Sequence, residues 1–164
     1  MKFWNCAVYL ALIGALGFIF GRFLAKIRFD PEKGIFRSFP FEKDGRIYEK
    51  IGIDKWQSKV PDMSRIFPSL MPPKNLSGSY EERLPVMINE TCVAELSHII
   101  ISILGIPALW IFPGTGGIIV FLIFVFVLNF PFMLIQRYNR PRLVRLQKKL
   151  NERKERKKEK ECVC

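Results

Sequence analysis

The stretch CVAELSHIIISILGIPALWIF at residues 92–112, followed after Pro113-Gly114-Thr115 by GGIIVFLIFVFVLNFPFMLIQ at residues 116–136, decides the fold. Each half is long enough to cross the hydrocarbon of a bilayer, which takes about 20 predominantly apolar residues in helical form. The run Pro113-Gly114-Thr115-Gly116-Gly117 cannot continue a helix and supplies a tight turn. The two halves are therefore expected to form a transmembrane hairpin over residues 91–137. Pro107 and Pro131 are placed to kink its helices. A further apolar run, residues 4–21, has Asn5 as its only strongly polar side chain and predicts a first span over residues 1–25. A cleaved signal peptide is the alternative reading of that run, because Lys2 precedes it and Ala and Gly lie near its end.

Three apolar runs leave little of a 164-residue chain for a separate soluble core. The expected fold is all-α: a small polytopic membrane protein with three transmembrane helices and interfacial amphipathic segments, organised as a single membrane domain. Charge orients it. The segment 26–90 carries twelve Lys and Arg against ten Asp and Glu, the tail from Arg137 carries twelve against four, and the segments 1–6 and 112–117 contain only Lys2. The positive-inside rule places the N-terminus and the 112–117 turn outside, and the middle segment and the tail in the cytoplasm. A net charge of +11 could indicate nucleic acid, but the excess sits in the membrane-proximal tail, where attraction to anionic lipid is the simpler account. No nucleic-acid partner is expected; membrane lipids are, and the oligomeric state stays open.

The four cysteines form no disulfide framework, since Cys162 and Cys164 fall in a cytoplasmic tail and Cys6 and Cys92 at opposite ends of different spans. One His and scattered Cys supply no zinc spacing, so no metal site is expected. The ending Cys-Val-Cys is not a prenylation box.

Between the first and second spans, residues 29–44 mix Phe36, Phe39 and Phe41 with Pro31 and Pro40, which predicts an irregular stretch anchored at the membrane surface. Asp44-Gly45 signals a turn, and Arg46 to Lys59, with Ile47, Ile51 and Trp56 among charges, predicts one short amphipathic helix. Residues 61–79 hold Pro61, Pro68, Pro72 and Pro73 and read as a loop. After Pro141, Leu143, Leu146 and Leu150 recur at helical spacing among basic residues, as in a helix lying on an anionic leaflet. From Asn151 the chain is almost entirely charged and is expected to project into water.

Chemistry-bearing residues cluster where the chain enters the bilayer. At 3.6 residues per turn, Thr91, Glu95, His98 and Ser102 share one face of the second span, and Asn129, Gln136 and Arg140 share one face of the third. With the turn centred near residue 115, an antiparallel hairpin brings His98 level with about residue 132 and Glu95 level with about residue 135. Such stripes commonly serve only to hydrogen-bond one helix to another. A carboxylate is not needed for that, however, and it can orient an imidazole for general-base work. A second cluster, Arg137-Tyr138-Asn139-Arg140-Pro141-Arg142, offers guanidinium forks suited to phosphate, although a stop-transfer signal has the same charge. A third combines Lys55, Trp56, Lys59 and Asp62. Cys92 reads as a structural thiol, and no nucleophile elbow supports a hydrolase triad.

These clusters, in this order, resemble those of the bacterial glycosyl-4,4'-diaponeurosporenoate acyltransferase family. The resemblance runs through Phe36-Arg37-Ser38-Phe39 with Phe41-Glu42-Lys43, then Lys55-Trp56 and Lys59 to Asp62, then Glu90-Thr91 with Ala94-Glu95-Leu96 and His98, and ends on Gln136 to Leu143. It implies a membrane enzyme that moves a fatty acyl chain onto a sugar hydroxyl of a glycosylated carotenoid or related glycolipid in a bacterial cell membrane. On that reading His98, Glu95, Asn129 and Gln136 are the catalytic candidates, with His98 as base, Glu95 orienting it, and Asn129 or Gln136 on the oxyanion. Arg137, Tyr138, Asn139, Arg140, Arg142, Lys55, Trp56, Lys59, Asp62 and Thr91 are the substrate-binding candidates, Arg140 leading the phosphate contact. No bound cofactor is expected; the co-substrate is an acyl thioester of coenzyme A or acyl carrier protein. Two other readings of the residues stand beside it: a non-enzymatic protein that binds anionic lipid or a partner, and a small transporter subunit with Glu95 and His98 as a proton relay.

Overall fold

The computed structural model describes residues 1–60 and 80–162. The proline-rich loop, Asp62 and Cys164 lie outside the described residues. Within them the chain is all-α, without strands. Among the described residues three stretches are long and apolar enough to cross a membrane: Lys2–Leu24, Glu82–Ile111 and Thr115–Lys160. Large apolar side chains such as Leu16, Phe23, Ile119 and Phe126 are exposed along them, the pattern of helices whose outer faces meet lipid.

The chain divides into two compact units, Met1–Asp30 with Asn89–Arg137, and Pro31–Ile88 with Tyr138–Cys164. In the first, helix α1 (Lys2–Leu24) turns Cys6, Leu10 and Ile13 to one side, at offsets of 0, 4 and 7, and buries them with Ile101, Ala108 and Phe124. Two of its glycines give close approach. A Cβ at Gly17 would lie 2.3 Å from Ile101 Cδ1, and one at Gly21 would lie 3.1 Å from Ser97 Oγ, so small residues one turn apart let the backbones meet. The exit from α1 is tied down by Asn89. Its Nδ2 donates to the carbonyls of Ala25 and Ile27 at 3.3 and 3.0 Å, and its Oδ1 accepts from the Phe29 N–H at 2.9 Å.

The second span is interrupted at Pro107, which has no N–H to donate. Here α3 (Tyr80–Leu104) gives way to a single turn, α4 (Ala108–Ile111). Because the Ala108 N–H turns to the Gly105 carbonyl at 3.0 Å, the Leu104 carbonyl loses its helical donor. The Tyr9 hydroxyl replaces it at 2.9 Å, satisfying a group that would be costly to leave bare in hydrocarbon.

The interhelical turn is shorter than the Pro113 to Gly117 run suggests. Helix α5 (Thr115–Ile123) already includes Thr115, Gly116 and Gly117, and the reversal itself is made by Phe112 to Gly114, the last at φ +96°. The third span then widens into a π-turn, Phe124–Asn129, before α6 (Phe130–Cys162). Pro131, lacking an N–H for the carbonyl four residues back, explains why regular α-helical bonding is interrupted there.

In the second unit the single amphipathic helix expected over Arg46 to Lys59 is three pieces instead: a 3-10 stretch Arg46–Ile51, the turn α2 (Ile53–Trp56) and a 3-10 turn Gln57–Lys59. Gly52, at φ +66°, stops the helix after one face has formed. The break changes what is inside: Tyr48 and Ile53 are buried, whereas Ile51 is 53% exposed. The turn signal at Asp44-Gly45 is correct, with Lys43, Asp44 and Gly45 all left-handed. Ahead of it, Phe39 and Phe41 stack in parallel with centroids 5.5 Å apart, and both rings are exposed.

Candidate active site

His98 and its partners lie within the first unit. The register predicted from the turn holds, for the imidazole stacks on Phe132 with centroids 4.9 Å apart and planes 13° apart. Its Nδ1 lies 2.9 Å from Oδ1 of Asn129. The amide of Asn129 is buried and donates from Nδ2 to the Phe124 carbonyl, 2.8 Å away and five residues earlier, across the π-turn. The Ser102 hydroxyl donates to the backbone carbonyl of His98 at 2.8 Å, so it braces the helix and leaves the ring alone.

Glu95 does not orient the imidazole as expected; Asn129 takes that position. The Glu95 carboxylate, 3% exposed, instead accepts from Nη1 of Arg137 at 2.6 Å. Ideal helical geometry places Arg137 away from the face shared by Asn129 and Gln136, but its long side chain spans that angle. This pairing answers the cost of holding two charged groups next to hydrocarbon. Thr91 is buried one turn before Glu95. Gln136 is half-buried and its amide is free of protein partners among the described residues, which leaves its N–H groups available to a ligand.

The remaining candidates belong to the second unit. Arg140, expected to lead the phosphate contact, is 2% exposed. Its Nη1 donates to the Phe36 carbonyl at 2.8 Å and its guanidinium lies 5.3 Å from the Phe36 ring centroid. A fork buried in this way fastens the aromatic segment to α6. Asn139 donates to Gln57 Oε1 at 3.1 Å, and Trp56 Nε1 donates to the Ile51 carbonyl at 3.1 Å. Both therefore brace the short turns.

Arg142 behaves differently. It pairs with Glu49, stacks 3.7 Å over the ring of Tyr138, and remains partly exposed. Together with Lys50, Gly52, Asp54 and Lys55 these three line an open cleft of about 470 Å³. Lys59 is exposed at the end of its 3-10 turn. Glu49 and Lys50 were not expected at this site; only folding the 46–59 segment into turns brings them beside Arg142. Phe124 was missed as well, because its backbone carbonyl, and not its side chain, is what bonds Asn129.

A family model described as glycosyl-4,4'-diaponeurosporenoate acyltransferase matches residues 31–149. The chain is 36% identical over 126 residues to the glycosyl-4,4'-diaponeurosporenoate acyltransferases of Staphylococcus aureus strains N315, USA300 and NCTC 8325, with 74% of this chain and 73% of each relative covered. No solved structure matches it. The matched segment takes in His98, Asn129 and Arg137 as well as the cleft around Arg142. The chain belongs to the glycosyl-4,4'-diaponeurosporenoate acyltransferase family and is an enzyme of the acyltransferase type.

Proposed function

We propose that this protein transfers a fatty acyl chain from a thioester of coenzyme A or acyl carrier protein to a sugar hydroxyl of a glycosylated carotenoid or related glycolipid, with His98 as general base. The observation that carries the assignment is the imidazole itself. It is held in place through Nδ1 and by the stack on Phe132, while Nε2 has no partner among the described residues. As the sugar oxygen attacks the thioester carbonyl, Nε2 takes the hydroxyl proton. The tetrahedral intermediate then expels the thiolate, which recovers that proton from the imidazolium, leaving an ester and a free thiol. The free amide of Gln136 is the donor for the oxyanion.

Arg142, Lys50 and Lys55 supply the positive charge for phosphate groups of the donor, the role first expected of Arg140. Positive-inside bias supports a bacterial cell-membrane protein with the N-terminus outside and residues 26–90 and the tail in the cytoplasm, the side on which such thioesters occur. The test is lipid mass spectrometry of cells that make the glycosylated acceptor, with and without this protein. A species heavier by one acyl group is expected with the wild type and absent with His98→Ala at equal membrane abundance. Full acylation by a well-inserted His98→Ala protein would eliminate the base assignment.

A further inference from the structure

The carboxamide of Asn129 has two ends with opposite hydrogen-bonding character, and the π-turn fixes which end faces the imidazole. The Phe124 carbonyl can only accept, so the group 2.8 Å from it must be the Asn129 NH2. The other end, Oδ1, then faces Nδ1 of His98 at 2.9 Å. Oδ1 carries no proton, so the hydrogen of this bond has to sit on Nδ1. A neutral imidazole has one N–H, and Nε2 is left with its lone pair. Asn129 is only 3% exposed, which keeps water from competing for either end.

Resting on the reading of His98 as base, we infer that Asn129 is a positioning residue: it holds His98 in the Nδ1–H tautomer and so makes Nε2 the basic nitrogen. It does this through the Phe124 carbonyl, and the π-turn is the device that brings that carbonyl within reach of a side chain five residues later. The stack on Phe132 fixes the plane of the ring, and the Asn129 bond fixes its rotation within that plane. This gives Asn129 a positioning role in place of the oxyanion role first considered for it, with Oδ1 on Nδ1 of His98 and one Nδ2 hydrogen on the Phe124 carbonyl.

The chain contains one histidine, so full-length protein labelled with 15N-histidine and reconstituted in lipid nanodiscs gives one imidazole spectrum. A protonated, pyrrole-type Nδ1 and an unprotonated, pyridine-type Nε2 are expected. Asn129→Leu should lose that preference and turn over at least about 100-fold more slowly, the scale of general-base effects. Asn129→Asp keeps an acceptor oxygen for Nδ1 and can donate to the Phe124 carbonyl only when protonated on its other oxygen. In that protonated form it should retain the Nδ1–H signal and recover part of the rate. An Nε2–H spectrum in the wild type would overturn the inference, even if the variants fail to accumulate. So would an Asn129→Leu protein that keeps either the Nδ1–H signal or the full rate. His98→Ala separates the two readings: full activity there removes the base itself, whereas an inactive His98→Ala beside an unaffected Asn129→Leu removes only the positioning role.

Discussion

Glu95, three residues before His98, pairs with Arg137. Their contact is a buried ion pair at 2.6 Å, and removing one member of such a pair typically costs about 3–5 kcal/mol. Glu95→Ala and Arg137→Ala should therefore each lower thermal stability in detergent, by roughly 3 kcal/mol, and the double variant should lose much less than the sum. Strictly additive losses in that cycle would show that the two charges are not coupled. At this scale the sequence identified the participants and not all of the pairs. Helical spacing puts His98 and Glu95 on one face and Asn129 on a facing span, because polar groups in an apolar run stand out. Which partner each one takes depends on side-chain reach. Arg137 crosses an angle that an ideal wheel treats as excluding it, and the short side chain of Asn129 fills the place assigned to Glu95.

The helices themselves were legible for the reason that makes membrane spans legible in general: long apolar runs bounded by Pro, Gly or charge. Their interruptions were less so. A π-turn leaves the apolar composition of Phe124–Asn129 unchanged, so periodicity cannot reveal it, although Pro131 marks its neighbourhood. The break at Gly52 depends on a left-handed backbone conformation, which a hydrophobic pattern does not encode. Glycines within the spans likewise look alike in sequence and differ in what surrounds them. A Cβ at Gly117 would fall 1.6 Å from the Phe112 carbonyl oxygen, whereas one at Gly14 meets nothing within 4 Å. Gly117→Ala must therefore open the turn between the spans and should sharply reduce accumulation of folded protein. Gly14→Ala should be neutral, or stabilising by up to about 1 kcal/mol through helix propensity. Comparable membrane yields and melting temperatures for the two variants would contradict the packing at the turn.

For the molecule as a whole, three apolar helices make a membrane protein, and charge supplies the orientation. The tail is the strongest determinant: twelve Lys and Arg against four acids follow the third span, compared with Lys2 alone before the first. Moving so many cations across a bilayer is disfavoured, so the end of α6 should stay in the cytoplasm and an odd number of spans should leave the N-terminus outside. Native cysteines report this directly, because Cys162 and Cys164 follow the basic segment. In intact cells a membrane-impermeant thiol reagent should spare both of them and should modify a Thr115→Cys variant, placed at the start of α5 beside the turn. After the membrane is permeabilised, the tail cysteines should react as well. Labelling of the tail from outside would reverse the topology. The cleft around Arg142 and Lys55 would then face away from cytoplasmic thioesters, and the proposed donor would have to be replaced by one available outside the cell.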